Sequence, residues 1–277
     1  MPIITLTTDF GLKDPSVAAL KGAILSELGD EARLVDISHQ VSPFHLTEAA
    51  YIIKKAYQSF PAGSIHIIGV DAELTPENKH LCLKIDGHFL ICADNGISSL
   101  IAEEINPEEI VEINIHQNTQ VKFPVLDIFV KVASHLARGG KIEVIGKKRD
   151  SIKRLKTVMP IQDKEQSKLI GHVMYIDNYG NVITNISEEI FENFGKGRAF
   201  TIQARSVKFK QVHQKYSEAI NFENPPERRQ DSGKKLALFN SSNFLELAIY
   251  KSNPKTVGSA ATLFGLEVMD SVTVNFK

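Results

Sequence analysis

Between residues 3 and 138 short β-branched runs alternate with stretches of helical periodicity, and few folds other than a layered α/β sheet accept that pattern. Ile3-Ile4-Thr5-Leu6-Thr7-Thr8 reads as a strand that ends on Asp9-Phe10-Gly11. Val17, Leu20, Ile24 and Leu28 then fall on one helical stripe. A strand over 32–37 follows. A helix over 46–60 comes next, introduced by Ser42-Pro43 and stopped by Pro61-Ala62-Gly63. Residues 64–70 form a buried-type strand, and 81–86 with 88–92 form a hairpin around Asp86-Gly87. Helices are expected over 97–105 and 128–138, the second stopped by Gly139-Gly140.

The character changes after residue 147. Residues 147–168 are charged and weakly periodic, and strands dominate afterwards (169–177, 181–186, 199–209, 236–240, 245–250 and 271–276). The expected organisation is an N-terminal layered α/β domain over 1–150 with a mostly parallel sheet, a linker over 151–165, and a β-barrel-like domain over 166–277. Asn224-Pro225-Pro226 opens an expected mobile loop that runs to residue 235.

The chain of 277 residues carries 32 basic and 33 acidic side chains, a net charge of −1, so no general attraction to nucleic acid or an anionic membrane is expected. No run approaches 18 apolar residues. The first residues lack a basic flank and apolar stretch, and there are only two cysteines, Cys82 and Cys92. Both features fit a reducing cytoplasm.

No GxGxxG follows a strand and no Walker A sequence is present, which disfavours ordinary dinucleotide binding and P-loop chemistry. A carboxylate at a strand's carboxyl end in an open α/β sheet faces the ligand crevice, and the two oxygens of Asp9 suit a vicinal diol. The next helix starts near Pro15-Ser16, which places Asp14 near its N-cap. Asp36, His39 and His45 do not share one helical face and read as loop caps rather than metal ligands. Asp177-Asn178-Tyr179-Gly180-Asn181 and Asn240-Ser241-Ser242-Asn243 are turn sequences. Asn181 could also read a purine edge, and Tyr179 could stack on a base.

Taken in order, these segments resemble one family. Thr7-Thr8-Asp9-Phe10-Gly11, the Asp14/Ser16 pair, Val35 to Phe44, Gly69-Val70-Asp71, Ala93-Asp94-Asn95-Gly96, Asp177 to Ile186 and Asn240 to Ile249 are similar to the S-adenosylmethionine hydroxide adenosyltransferases. That superfamily also contains the fluorinating and chlorinating enzymes. The resemblance implies a homotrimer with each active site between the N-domain of one subunit and the C-domain of the next. It implies that Asp9 chelates the ribose hydroxyls and Phe44 packs on the ligand. Asp14, Ser16, Asp177 and Ser241 would hold the methionine end, Tyr179 would stack on adenine, and Asn181 would bond its edge. Asn95, Phe123, Ser242 and Glu246 also fall in matched ligand-binding segments. The substrate or ligand would be S-adenosylmethionine, with no metal and no organic cofactor.

One departure stands out. Hydrolytic members share an Asp-Arg-His set that orients water or hydroxide. Asp71 matches the aspartate, but the arginine position is Asn78, followed by Lys79, and the histidine motif is replaced by Phe123-Pro124-Val125-Leu126-Asp127. The halide-holding hydroxyl residues are missing as well. Two readings follow. In the first, Lys79 substitutes for the arginine and Asp71 with Asp127 positions the water, giving a hydrolase that forms adenosine and L-methionine. In the second, the chain is a catalytically impaired S-adenosylmethionine- or adenosine-binding protein.

Overall fold

The computed structural model describes residues 3–102, 105–115, 121–229 and 233–277. Residues 103–104 of the helix expected over 97–105, and 230–232 of the loop expected over 224–235, lie outside the described residues. The chain forms two compact units, Met1–Thr157 and Val158–Lys277.

The first unit holds β1 (Ile3–Thr8), β2 (Arg33–Ser38), β3 (Ile65–Gly69), β4 (His80–Ile85), β5 (His88–Ala93), β6 (Glu109–Ile113) and β7 (Gly146–Lys148) in one sheet of order β2-β1-β3-β5-β4-β6-β7. The β2-β1-β3-β5 portion is parallel, and β5-β4-β6-β7 is antiparallel. The helices are α1 (Ser16–Leu28), α2 (Leu46–Ala56), α3 (Ile97–Ala102) and α4 (Val130–Ala137), the last preceded by a π-helical turn at Val125–Phe129. The sheet is apolar on both faces, as a covered parallel sheet must be. Ile4, Leu6, Ile65 and Ile67 join Leu20 and Ile24 of α1 and Val132 and Ala133 of α4 in one core layer. Ile68, Leu81 and Leu83 join Ala49 and Ile53 of α2 and Leu100 of α3 in the other. Each fully buried Ile, Leu or Val among them stabilises the fold by roughly 1.5–3 kcal/mol.

Local chemistry explains the boundaries. The hairpin closes on Asp86 and Gly87, both with positive φ (51° and 74°). α2 is capped by His45, whose side chain accepts the Glu48 N–H (3.1 Å). α1 differs from expectation. Pro15, not Asp14, holds the cap position with helical angles and no side-chain cap bond, and its carbonyl takes the Ala19 N–H (2.9 Å). Asp14 is left exposed before it. Inside the sheet Thr5 Oγ1, His66 and His88 form a buried polar chain (2.7 and 3.2 Å), and burial pushes His66 down to about 3. Cys82 faces the layer of α1 and α4, and Cys92 the layer of α2 and α3. The two are one step out of register, and burial raises both thiols.

The second unit is an antiparallel, barrel-like sheet. Its strands are β8 (Ile161–Asp163), β9 (Lys168–Ile176), β10 (Val182–Ser187), β11 (Phe200–Ala204), β12 (Val207–Phe209), β13 (Lys235–Phe239), β14 (Phe244–Ile249) and β15 (Ser271–Phe276). Their order is β12-β11-β15-β9-β10-β14-β13, with β8 on β9. α5 (Glu188–Gly195) is capped by Ser187, and α6 (Ala260–Phe264) by a Ser259–Thr262 capping box. Phe191, Phe200, Phe239 and Phe276 interlock edge-on over this core (5.0–5.4 Å from the Phe191 ring). The single strand expected over 199–209 is instead the β11–β12 hairpin, turned at Arg205 with φ 51°.

The stretch read as a linker is divided between the units. Residues 158–163 belong to the second, where β8 pairs with β9. Residues 151–157 strap onto the first: the Lys153 N–H donates to Asp94 Oδ1 (2.8 Å), the Leu155 N–H to Ser99 Oγ (3.0 Å), and Ile152 packs among the α2–α3 layer.

Candidate functional site

In the first unit the chain runs from β1 through α1 to β2 on one side, then crosses to β3 on the other. The order therefore reverses at β1, and ligands bind such sheets outside the carboxyl ends of the strands at that point. All four parallel strands deliver their motifs to this edge. Thr8 is paired with Gly69, so Asp9 and the Val70-Asp71 segment leave neighbouring strands side by side. The Ser38–Phe44 loop follows β2, and Asp94-Asn95-Gly96 follows β5.

Hydrogen bonds tie these loops together. Asp9 Oδ2 accepts the N–H of Phe44 (2.9 Å), and Gly11 donates to the His39 carbonyl (2.7 Å). Phe44 has φ 62° and is 72% exposed, an open apolar residue beside a carboxylate. Behind them Thr8 Oγ1 meets His39 Nδ1 (2.7 Å), His39 Nε2 lies 3.2 Å from Asp36 Oδ1, and Lys21 Nζ holds Asp36 Oδ2 (2.6 Å). Burial works to raise the Asp36 carboxyl, but the bonds from Lys21 and His39 together hold it below its ordinary value. Asp14 and Ser16 lie just beyond, exposed and half-buried.

Asp71 sits in the left-handed region (φ 46°), uncommon for a non-glycine residue. The Asn95 side chain holds it there. It donates to the carbonyls of Asp71 (3.0 Å) and Val70 (3.2 Å), and its oxygen accepts the Ile97 N–H (3.1 Å). Asn95 is 5% exposed, so in this unit it shapes the site rather than facing it. Asn78 closes the β3–β4 loop on Thr75, and its Oδ1 accepts from Lys153 Nζ (3.1 Å). Lys79 extends the β4–β5 ladder, its carbonyl taking the Asp94 N–H (2.6 Å). Phe123 stacks obliquely on Phe10 (5.1 Å). Near them, a Cβ on Gly69 would meet Val125, Phe10 and Thr8 at 3.1–3.2 Å. Bare backbone at Gly69 thus lets the 123–127 turn approach β1 and β3.

Asp127 caps that turn. Its Oδ2 accepts the N–H groups of Phe123 and Lys122 (both 2.8 Å), and the Phe123 bond does most to hold the carboxyl low. A carboxylate depressed by folding adds stability above its unfolded value near 4 and loses it as pH falls through the folded value. Asp127→Ala is therefore expected to cost about 1 kcal/mol at pH 7, the usual worth of a cap. The gap between variant and wild type should close below about pH 4 in urea titrations. A pH-independent gap would deny the cap its ionic character.

In the second unit the turn between β9 and β10 is built by Asp177. Its Oδ1 accepts the N–H groups of Tyr179 (2.9 Å) and Asn181 (2.8 Å), and its Oδ2 the Asn181 side chain (3.0 Å). Gly180 has φ 72°, and Tyr179 is left 65% exposed. Asn240 builds the β13–β14 turn, accepting from Ser242 (2.9 Å) and Phe244 (3.3 Å) and presenting Ser241 outward. Val182 pairs with Leu247 and Ser187 with Phe244, so the two turns stand at opposite ends of the β10–β14 pair. Asp177 thus belongs with Tyr179 and Asn181, on the order of 10 Å from Ser241 at ~3.3 Å per residue. Glu246 lies between, 3% exposed, opposite Ile183. Burial raises its carboxyl, against which the Tyr216 hydroxyl (2.5 Å) and Asn240 donate. Tyr216 escaped the sequence reading because it sits in a polar, aperiodic stretch.

The first unit therefore offers a carboxylate, an exposed ring and a strained aspartate at one sheet edge. The second offers an exposed tyrosine, a buried amide and hydroxyls. No group of three or more potential metal ligands occurs among the described residues, and none of their helices is long and apolar enough to cross a membrane.

Comparison with known proteins gives this arrangement a context. Residues 4–146 match the SAM hydroxide adenosyltransferase N-terminal domain, and residues 171–273 match the C-terminal domain. The chain is 26% identical to an (R)-S-adenosyl-L-methionine hydrolase of Methanocaldococcus jannaschii over 99% of this chain and 96% of that one. It is 27% identical to a fluorinase of Nocardia brasiliensis over 71% and 75%. An uncharacterized conserved protein of Thermotoga maritima has the same fold, with TM-score 0.83 and 26% identity over 99% of this chain and all of that one. With its motifs gathered at one sheet edge and at the β-turns of the second unit, and with both domains matched, the chain belongs to the SAM hydroxide adenosyltransferase family.

Proposed function

We propose that this protein hydrolyses S-adenosylmethionine to adenosine and L-methionine. The observation that carries the reading is the placement of Asp9 and Phe44 together at the carboxyl edge of β1, where the sheet order reverses. The names of the hydrolase relatives supply the reaction. Asp9 grips the ribose diol, Phe44 covers the ligand, and Tyr179 with Asn181 takes the adenine. Ser241, Ser242, Asp14 and Ser16 meet the methionine end. Asp71 orients the attacking water. The new bond joins the water oxygen to C5′; the C5′–sulfur bond breaks with its electron pair going to sulfur, and the water loses a proton. A sulfonium leaves as a neutral thioether, so the step is chiefly one of alignment and exclusion of bulk water, and the proposal includes no metal or cofactor. The assembly we propose is a homotrimer in the cytoplasm, in which the second unit of a neighbouring copy completes each site.

Incubation with S-adenosylmethionine in ¹⁸O-water, followed by chromatography and mass spectrometry, tests this. Equal amounts of adenosine and methionine are expected, with the label on the 5′ oxygen. Because Pro124 replaces the histidine and Asp127 is engaged by backbone amides, turnover should be slow relative to binding. Tight binding with intact ligand after long exposure would favour the impaired, ligand-sensing reading instead.

A further inference from the structure

We infer that Lys153, on the strap that leaves the first unit, is the cation of the proposed water-activating site. This rests on the hydrolase reading and names a positioning residue for it. Lys153 is held at two points. Its N–H is fixed to Asp94, a carboxylate only 7% exposed, and its ammonium donates to Asn78 Oδ1 (3.1 Å). The next residue, Asn95, grips the Asp71 carbonyl (3.0 Å). Consecutive side chains at the end of β5 thus pin both the strap that bears the ammonium and the backbone of Asp71. Asn78 lies on the same loop as Asp71, which runs from β3 to β4 and is closed by the Thr75–Asn78 bonds (2.9 and 3.1 Å).

The site needs such a charge. Water or hydroxide attacking C5′ gains from a cation that favours the anionic form, and position 78 carries an amide where the family resemblance expects a guanidinium. Lys79 is the nearer replacement by sequence. Its carbonyl continues the β4–β5 ladder by taking the Asp94 N–H (2.6 Å), whereas the Lys153 ammonium is bonded to the side chain at position 78 itself (3.1 Å). The strap delivers Lys153 to Asn78 from elsewhere in the chain. Its backbone anchor also means that a side-chain truncation leaves the Asp94 bond in place.

The test compares wild type with Lys153→Ala, Lys153→Arg and, as control, Lys156→Ala on the same basic stretch. Adenosine formation should fall about tenfold or more in kcat for Lys153→Ala with KM little changed, less than the loss of a fully enclosed donor because this pair is exposed. Lys153→Arg should recover most of it, Lys156→Ala should match wild type, and the basic limb of the pH–rate profile should move only in the Lys153 variants. Azide, a small anionic probe, is titrated calorimetrically into adenosine-saturated protein as a second readout, and Lys153→Ala should bind it several-fold more weakly. Wild-type kcat and azide affinity in Lys153→Ala would overturn the assignment, as would wild type that binds no azide. If wild type releases no adenosine, the hydrolase reading fails while the azide comparison still decides the role of Lys153.

Discussion

Asp9→Asn is expected to weaken adenosine binding by about 10²-fold without unfolding the protein. A hydrogen bond to an ionised acceptor contributes roughly twice a neutral one, so exchanging two such bonds to a diol for amide contacts loses about 3 kcal/mol. The substitution is mild elsewhere. Asp9 Oδ2 accepts the Phe44 N–H, and the amide oxygen of Asn can take over that bond. Calorimetry of adenosine against wild type and variant, with melting temperatures as the control for folding, reads the effect. Equal affinities at equal stability would remove Asp9 from the ligand site, and with it the placement of the sugar at β1.

Gly180→Ala is expected to destabilise the second unit by about 2.5–8 kcal/mol, the sum of three costs. At φ 72° a Cβ brings strain of order 1–3 kcal/mol. That Cβ would lie 2.2 Å from Ser259 Oγ and 2.3 Å from its Cβ, well inside van der Waals contact, and overpacking of this kind costs about 1–3 kcal/mol. Ser259 cannot step aside freely because it caps α6, and losing a cap costs roughly 0.5–2 kcal/mol. Gly197→Ala isolates the first cost, since Gly197 has φ 74° with nothing within 4 Å of an added Cβ. Denaturant unfolding should separate the two variants by about 1.5 kcal/mol or more. Equal losses would mean that the turn and α6 relax independently.

Much of the architecture was legible because it depends on period and punctuation. The Val17-Leu20-Ile24 stripe is the buried face of α1, and Asp86-Gly87 supplies the two positive-φ residues of the hairpin. Asp9 was legible as a strand-end residue, Asp71 and Asn95 only through the family resemblance, and the structure brings all three to one edge. What escaped depends on tertiary contacts. No local period announces β8, three residues that form a strand only by lying against β9. The roles of Asn95 and Asp127 are equally hidden, since an amide that pins a backbone and a carboxylate that caps a turn have the same letters as ligand-binding groups. The charged stretch after residue 147 looked like solvated linker, yet Asp94 and Ser99, more than fifty residues upstream, hold it down. Pro15 displaced Asp14 from the cap because its ring fixes φ in the helical range.

Cys82 and Cys92, the chain's only thiols, are each fully enclosed and serve different layers of one sheet. A water-borne alkylating reagent can reach either sulfur only when its covering helices lift away, so the rate of modification at each site measures the free energy of that opening. Mass-resolved labelling under native conditions would therefore report separately on the α1–α4 and α2–α3 sides without any introduced probe. A nucleoside that settles against the edge of β1 should slow both reactions together if the sheet breathes as a whole, and only one if its two coverings come loose independently.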